Sequence, residues 1–164
     1  MWKKSSQRRK TYDCYEEFYK NIQTLRKEYG DRAVLRAIHF FNENARVVDQ
    51  KAALKEGRFE DFLKMVNASG QSSYDCLQNL YSTSAVKEQG LSLAVILTKQ
   101  FLGDKGACRV HGGGFAGTIQ CYIPTDLLDD YKAMIESAFG LGTCSVLAIF
   151  TKVSKLNFFL PFSM

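Results

Sequence analysis

Histidine, proline and tryptophan are scarce, with 2 His, 2 Pro and 1 Trp among 164 residues. Five cysteines (Cys14, Cys76, Cys108, Cys121 and Cys144) are odd in number and well separated, with no Cys-x-x-Cys pair. With only His39 and His111 beside them, no zinc-ligand spacing arises, and buried, unpaired thiols are the expectation. Two prolines against 12 glycines, with 46% apolar and 24% charged residues, exclude a collagen-like, low-complexity or disordered chain. The basic start runs into Thr11-Tyr12-Asp13 and not into an apolar segment, unlike a secretory signal. The most apolar stretch, Leu156 to Phe162, is far shorter than the ~20 residues that span a bilayer. A reduced, cytoplasmic protein with no membrane partner is expected.

An excess of positive charge over the body of the chain is also missing. The net charge is +5, but Lys3, Lys4, Arg8, Arg9 and Lys10 supply all of it, leaving 17 bases against 17 acids. A nucleic-acid surface spread over the fold needs a basic excess that this body lacks, so nucleic acid is not an expected partner. The length suits one domain, or one lobe of something larger, and a domain of this size buries about 70% of its unfolded surface.

What is present reads as helices first and strands later. Residues 1–15 are basic and aperiodic, and read as a loose, disordered leader. A short helix is expected from Phe18 to Tyr29, ended by Gly30, with Asp31 as the N-cap of a long helix. Val34, Ile38, Phe41, Ala45, Val48 and Ala52 then form one apolar stripe, and Gly57 stops it. A second helix, Arg58 to Ala68, turns Phe59, Phe62, Leu63 and Val66 inward. The run 67–73 is turn-forming, with Ser72 or Ser73 capping a helix that carries Tyr74, Leu77, Leu80 and Tyr81. After Gly90 comes a helix from Leu91 to Leu102, almost apolar on the side formed by Leu91, Ala94, Val95, Thr98, Phe101 and Leu102.

The period then changes. Ala107 to His111 and Thr118 to Ile123 read as strands, Pro124 precedes a helix to Phe139, and Cys144 to Phe150 reads as a third strand. This order predicts an α+β fold with helices packed on one face of a mostly antiparallel sheet.

Gly112-Gly113-Gly114-Phe115-Ala116-Gly117 is the conspicuous motif. It satisfies G-x-G-x-x-G, but that dinucleotide fingerprint must open a helix, and here the glycines join two strands. Nor does Gly-Lys-Ser/Thr follow, so it is no P-loop. Glycines in such a connection permit positive φ and close approach of a ligand, and successive N–H groups can cradle an anion. A tight hairpin without a ligand is the competing reading.

The stretch Gly106-Ala107-Cys108-Arg109-Val110-His111-Gly112-Gly113-Gly114-Phe115-Ala116-Gly117 resembles the third signature of the GHMP small-molecule kinases, closest to the galactokinase pattern G-(A/S)-R-(M/V)-T-G-G-G-F-G-G. Upstream, Arg36-Ala37-Ile38-His39, with Glu43-Asn44 and Arg46 after it, resembles the R-A-x-H-x-x-x-E-N-x-R helix of the same family. The resemblance covers about Phe18 to Ile149. It implies the ferredoxin-like C-terminal domain of that family over residues 16–150, followed by an atypical apolar tail over 151–164. It further implies a galactokinase, which moves the γ-phosphate of ATP to the C1 hydroxyl of α-D-galactose with Mg2+.

The catalytic Asp, its supporting Arg, the sugar loop and the ATP phosphate loop of the family have no counterpart here. The implied reading is a C-terminal lobe, inactive alone and holding neither ATP nor Mg2+ by itself, whose partner is an N-terminal kinase lobe. Ends that depart from the family on both sides are what truncation or a shifted frame produces. No catalytic residue and no metal ligand carries over. Gly112, Gly113, Gly114, Phe115 and Gly117 carry over as the loop beside nucleotide and sugar, flanked by Arg109 and His111 on one strand face. His111 stands where Thr is usual and Ala116 where Gly is usual. The bland readings make His39 structural, Arg109 an exposed polar edge residue, and His111 either. Apolar surface left by a missing lobe implies self-association. A non-catalytic, ligand-binding relative is the alternative.

Overall fold

The computed structural model describes residues 14–115, 117–150 and 155–159. Residues 1–13, Ala116, 151–154 and 160–164 lie outside that description, and with them most of the expected leader and much of the expected tail.

Residues 14–20 are helical, and after a turn at Asn21 the chain forms α1 (Ile22–Tyr29). Gly30, at φ +81°, separates α1 from α2 (Asp31–Lys55). Asp31 does not act as the expected cap: Gly30 holds the N-cap position, and the Asp31 carboxylate is taken by the Arg26 guanidinium at the end of α1. A full positive charge outcompetes a backbone amide for that carboxylate. Gly57, at φ +70°, lies just beyond α2 as its sequence predicts.

The third helix, α3 (Phe59–Ser72), runs past Ala68 and into a π-helical turn (Ser73–Leu77). The turn-forming residues expected to stop it at 67–73 are instead absorbed by tertiary bonds. Asn67 accepts the Cys108 amide at 3.0 Å and donates to the Gly106 carbonyl at 3.3 Å, so it fills the outer edge of a strand. The Ser69 hydroxyl donates to Glu43 at 2.6 Å, and Ser72 bonds His39 at 2.9 Å. Gly70 sits where a Cβ would lie 3.0 Å from the Cys108 carbonyl oxygen and 3.1 Å from Arg109 Cβ. Residues that break isolated helices by bonding their own backbone here bond across to neighbours, so the helix continues. Of the helix expected to carry Tyr74, Leu77, Leu80 and Tyr81, only Tyr74 and Leu77 are helical, in the π turn: Gln78 turns left-handed (φ 51°, ψ 44°), and turns and bends follow.

Next comes α4 (Gly90–Leu102), which buries Leu91, Ala94, Val95, Thr98 and Leu102, the side read from the sequence. The strands β1 (Ala107–His111) and β2 (Thr118–Ile123) pair antiparallel, with Ala107 opposite Tyr122 and His111 opposite Thr118. A 3-10 turn (Thr125–Leu127) leads into α5 (Leu128–Phe139). Then β3 (Val146–Phe150) and β4 (Lys155–Phe159) complete an antiparallel sheet in the order β1-β2-β4-β3. The β4 strand lies in the segment expected as an apolar tail. It pairs with β2 at Tyr122–Phe158 and Ile123–Asn157, and with β3 along its length.

The α+β class holds, but the helices do not all lie on one face. Alternation along β1 and β2 sends Cys108, Val110, Ile119, Cys121 and Ile123 into a core with Leu91, Val95, Tyr131 and Ile135 of α4 and α5. It sends Ala107 and Tyr122 to the other side, against Ala53 of α2 and Phe62 and Val66 of α3. The hairpin is therefore sandwiched. Both strands nevertheless keep their alternation: on the second face Arg109, His111, Thr118 and Gln120 are polar, and only Ala107 and Tyr122 supply apolar surface.

Candidate ligand-facing site at the glycine loop

The loop that joins β1 to β2 is built on positive φ angles. Gly112 and Gly114 have φ of +67° and +77°, and Phe115, though not glycine, has φ +63°. Gly113 and Gly117 keep ordinary signs, and a Cβ on Gly112 or Gly113 would meet nothing within 4 Å. Gly114 is the position where glycine is required by contact as well: a Cβ there would sit 2.2 Å from the Asn79 carbonyl oxygen. That approach lets the loop latch onto the segment after the π turn. The Phe115 amide donates to the Asn79 carbonyl at 2.5 Å, and the Asn79 side-chain amide donates to the Gly113 carbonyl at 3.2 Å. Asn79 is only 3% exposed, and its buried Oδ1 receives no donor among the described residues. The latch commits the Phe115 N–H to the protein itself, so that amide is not offered to an anion. The ring of Phe115 is 46% exposed.

Next to the loop, the two segments that carry the family resemblance meet. His39, Glu43 and Arg46 recur at helical spacing on one face of α2, which packs on α3 and the π-helical turn after it. Arg109 reaches toward them from β1, its Nη1 3.8 Å from the Glu43 carboxylate. Glu43 also pairs with Arg46 and accepts the Ser69 hydroxyl. One carboxylate thus joins α2, α3 and the strand that launches the glycine loop. Arg109 is half-buried, not the exposed edge residue expected, and its Nε donates to the Val110 carbonyl at 3.1 Å. Burial lowers the pKa of both arginines, and for Arg46 the neighbouring Arg109 adds to it. His39 is likewise pushed below its usual value, first by burial and then by Arg109 and Arg46, against a raising contribution from Ser72. Both the burial and the two guanidinium groups disfavour the charged imidazole beside Ser72. His111, at the end of β1, is exposed and takes no part in this cluster.

A small pocket of about 190 Å³ opens at the loop tip, lined by Arg32, Gln78, Tyr81, Ser82, Thr83 and Phe115. Of the residues expected at a site, the structure gathers Phe115 to this pocket and Arg109 to the Glu43 cluster. The residues that reading the sequence missed are Asn79 and Arg32. Asn79 carries no local signal, because its role depends on the glycine loop 34 residues away. Arg32 lies in the first turn of α2, off its apolar stripe, where a basic residue reads as ordinary helix surface.

Among the described residues no group of three or more His, Cys, Asp or Glu could hold a metal ion, and no helix is long and apolar enough to cross a membrane. All five cysteines are free thiols. Cys108 and Cys121 are buried, Cys76 and Cys144 partly so, and Cys14 is exposed, against the expectation that all would be buried. No family model matches the chain, and no solved structure matches it.

Proposed function

We propose that this chain is the carboxy-terminal lobe of a galactokinase-type sugar kinase, presenting a glycine loop to a cleft completed by another lobe. The observation that carries the reading is the convergence of its two motif segments. Glu43, from the helix motif, and Arg109, from the strand that opens the glycine motif, are ion-paired although 66 residues separate them in sequence. Two resemblances that arise by chance have no reason to become one cluster.

A second observation supports a missing partner surface. Phe40, Val47, Val48 and Leu54 follow one face of α2 at helical spacing, and each is more than half exposed. A stripe of that kind marks a contact surface, for another lobe or for a second copy of the chain. The apolar stripe read from the sequence was thus partly misassigned, since Ala45 and Val48 face outward while Ala53 is the buried position near the end of α2.

In this reading the lobe positions and the other lobe reacts. Phosphoryl transfer depends on positioning and charge stabilisation, so a rigid glycine loop contributes by holding its backbone close to the transferred group without a Cβ in the way. In this reading magnesium and the ATP phosphates belong to the other lobe. The test is reconstitution. The chain, co-expressed with or fused behind an amino-terminal galactokinase lobe, is expected to restore galactose-dependent ADP release, and to show none alone. A folded, soluble two-lobe protein with no turnover would overturn the kinase reading. The commitment of the Phe115 amide to Asn79 favours a second reading, a non-catalytic ligand-binding module. That module would bind galactose in the joined protein without releasing ADP.

A further inference from the structure

The two non-glycine residues with positive φ among those described, Gln78 and Phe115, line the same pocket. Backbone strain at non-glycine positions costs about 1–3 kcal/mol each and persists only where the surroundings impose it. Here the same latch imposes both. Gln78 precedes Asn79, and Asn79 holds Phe115 by its carbonyl and Gly113 by its side chain. Both strained residues thus belong to the wall of one pocket.

Its chemistry is one-signed. Arg32 brings a guanidinium with no ion-pair or hydrogen-bond partner among the described residues, and no carboxylate lines the pocket. Three hydroxyl-bearing residues, Tyr81, Ser82 and Thr83, complete the wall. The Ser82 oxygen accepts the Ser84 amide at 3.3 Å and lies 2.7 Å from the Ser84 hydroxyl. When Ser84 donates in that second contact, the Ser82 proton is left to donate elsewhere. A cation, hydroxyl donors and no acid select an anion with several acceptor oxygens. The volume, about 190 Å³, falls below the ~300–1,000 Å³ of sites that take a drug-sized ligand, so a whole nucleotide does not fit. The exposed Phe115 ring gives an apolar surface at the mouth, against which a sugar ring can lie.

We propose that this pocket receives the phosphate of a phosphorylated sugar, with Arg32 and Ser82 as its ligands and Phe115 beside the ring. The phosphate site stands on the pocket itself, whereas the sugar as its carrier rests on the sugar-kinase reading.

Amide NMR titration of the 164-residue chain tests this with galactose 1-phosphate, inorganic phosphate, galactose and ADP as separate probes. Galactose 1-phosphate and inorganic phosphate are expected to shift the amides of Gln78, Ser82, Thr83 and Phe115, and galactose alone to leave them unmoved. Arg32→Gln, at an exposed position that folding tolerates, is expected to weaken the phosphate response about tenfold or more, and Ser82→Ala to weaken it less. Absence of shifts with either phosphate probe overturns the proposal, as does a response that survives Arg32→Gln. ADP shifting these amides at lower concentration than galactose 1-phosphate overturns the sugar as carrier. A positive titration with an inert joined protein would retain the pocket and remove the kinase reading, and the reverse pair of results would do the opposite.

Discussion

The two sides of the β1–β2 hairpin solve different problems with alternate residues of the same strands. Toward α4 and α5 the surface is dry. Cys108, Val110, Cys121 and Ile123 meet Val95, Tyr131 and Ile135, and the polar atoms present, the Thr98 and Tyr131 hydroxyls, bond each other at 2.8 Å. Burial there raises the Cys108 thiol to about 11 and pushes Cys121 and Tyr131 higher still, so all three stay protonated at any physiological pH. Toward α2 and α3 the surface is apolar only at Ala107 and Tyr122, and Arg109, two residues after Ala107, is held by the Glu43 carboxylate. The first side makes the hairpin stable; the second decides where its glycine loop points. A strand can serve both because its side chains alternate, so that packing and placement need not compete for one position.

If that division is right, the largest loss comes from the dry side. Ile123→Ala is expected to destabilise the fold by about 2–5 kcal/mol, read from the denaturation midpoint, because its site is fully enclosed. A loss well under 1 kcal/mol would mean that this core is not close-packed.

Next in size is Glu43→Ala. It strands Arg46 and Arg109 together in a half-buried site and removes the acceptor of Ser69, at an expected cost of about 3 kcal/mol. The comparison sharpens with Arg109→Ala and the double variant. Coupling of about 1 kcal/mol between the two would show that α2 and β1 are joined through this pair, and strict additivity would show that they are not.

Gly114→Ala is expected to cost about 1–2 kcal/mol from positive φ alone, with a further contribution from the clash at Asn79. Hydrogen exchange at the Phe115 amide should rise sharply, while exchange in β1 and β2 stays slow. Equal loosening of the strands would contradict a locally latched loop.

The smallest effect is a pH dependence. The folded state holds His39 below its unfolded value of 6.5, so as pH falls through that value the unfolded chain takes up a proton that the folded chain resists. Stability should therefore decline from about pH 6.5 downward, to the folded pKa and no further on this account. His39→Gln, which keeps a partner for Ser72, should flatten that limb, and an unchanged acid limb would assign it to other groups.

How much of this was legible in advance depends on whether the cause was local. The limits of β1 and β2 and the buried side of α4 follow from periodicity, which is a property of neighbours in sequence. The continuation of α3 through Asn67, Ser69, Gly70 and Ser72 was not legible, because those residues act on β1 and α2. The β4 strand was hidden for a related reason. Its pairing with β2 and β3 is long-range, and its sequence, Lys155 to Phe159, has no clean alternation to announce it. At the candidate site, Arg109 and the glycines stood out by type and spacing, whereas Asn79 became visible only once the loop had folded onto it.

The side chain of Asn67 has one more consequence. By filling the acceptor at Gly106 and the donor at Cys108, it blocks an incoming strand at the start of the β1 edge. The opposite end of the sheet, β3, has no such guard among the described residues, and Val146 and Leu147 there are each nearly half exposed. The sheet is thus polar in its capacity to grow. Fibrous assembly or strand exchange between copies would start more readily from β3 than from the guarded end of β1, and a lysine placed at Leu147 is the economical way to oppose it.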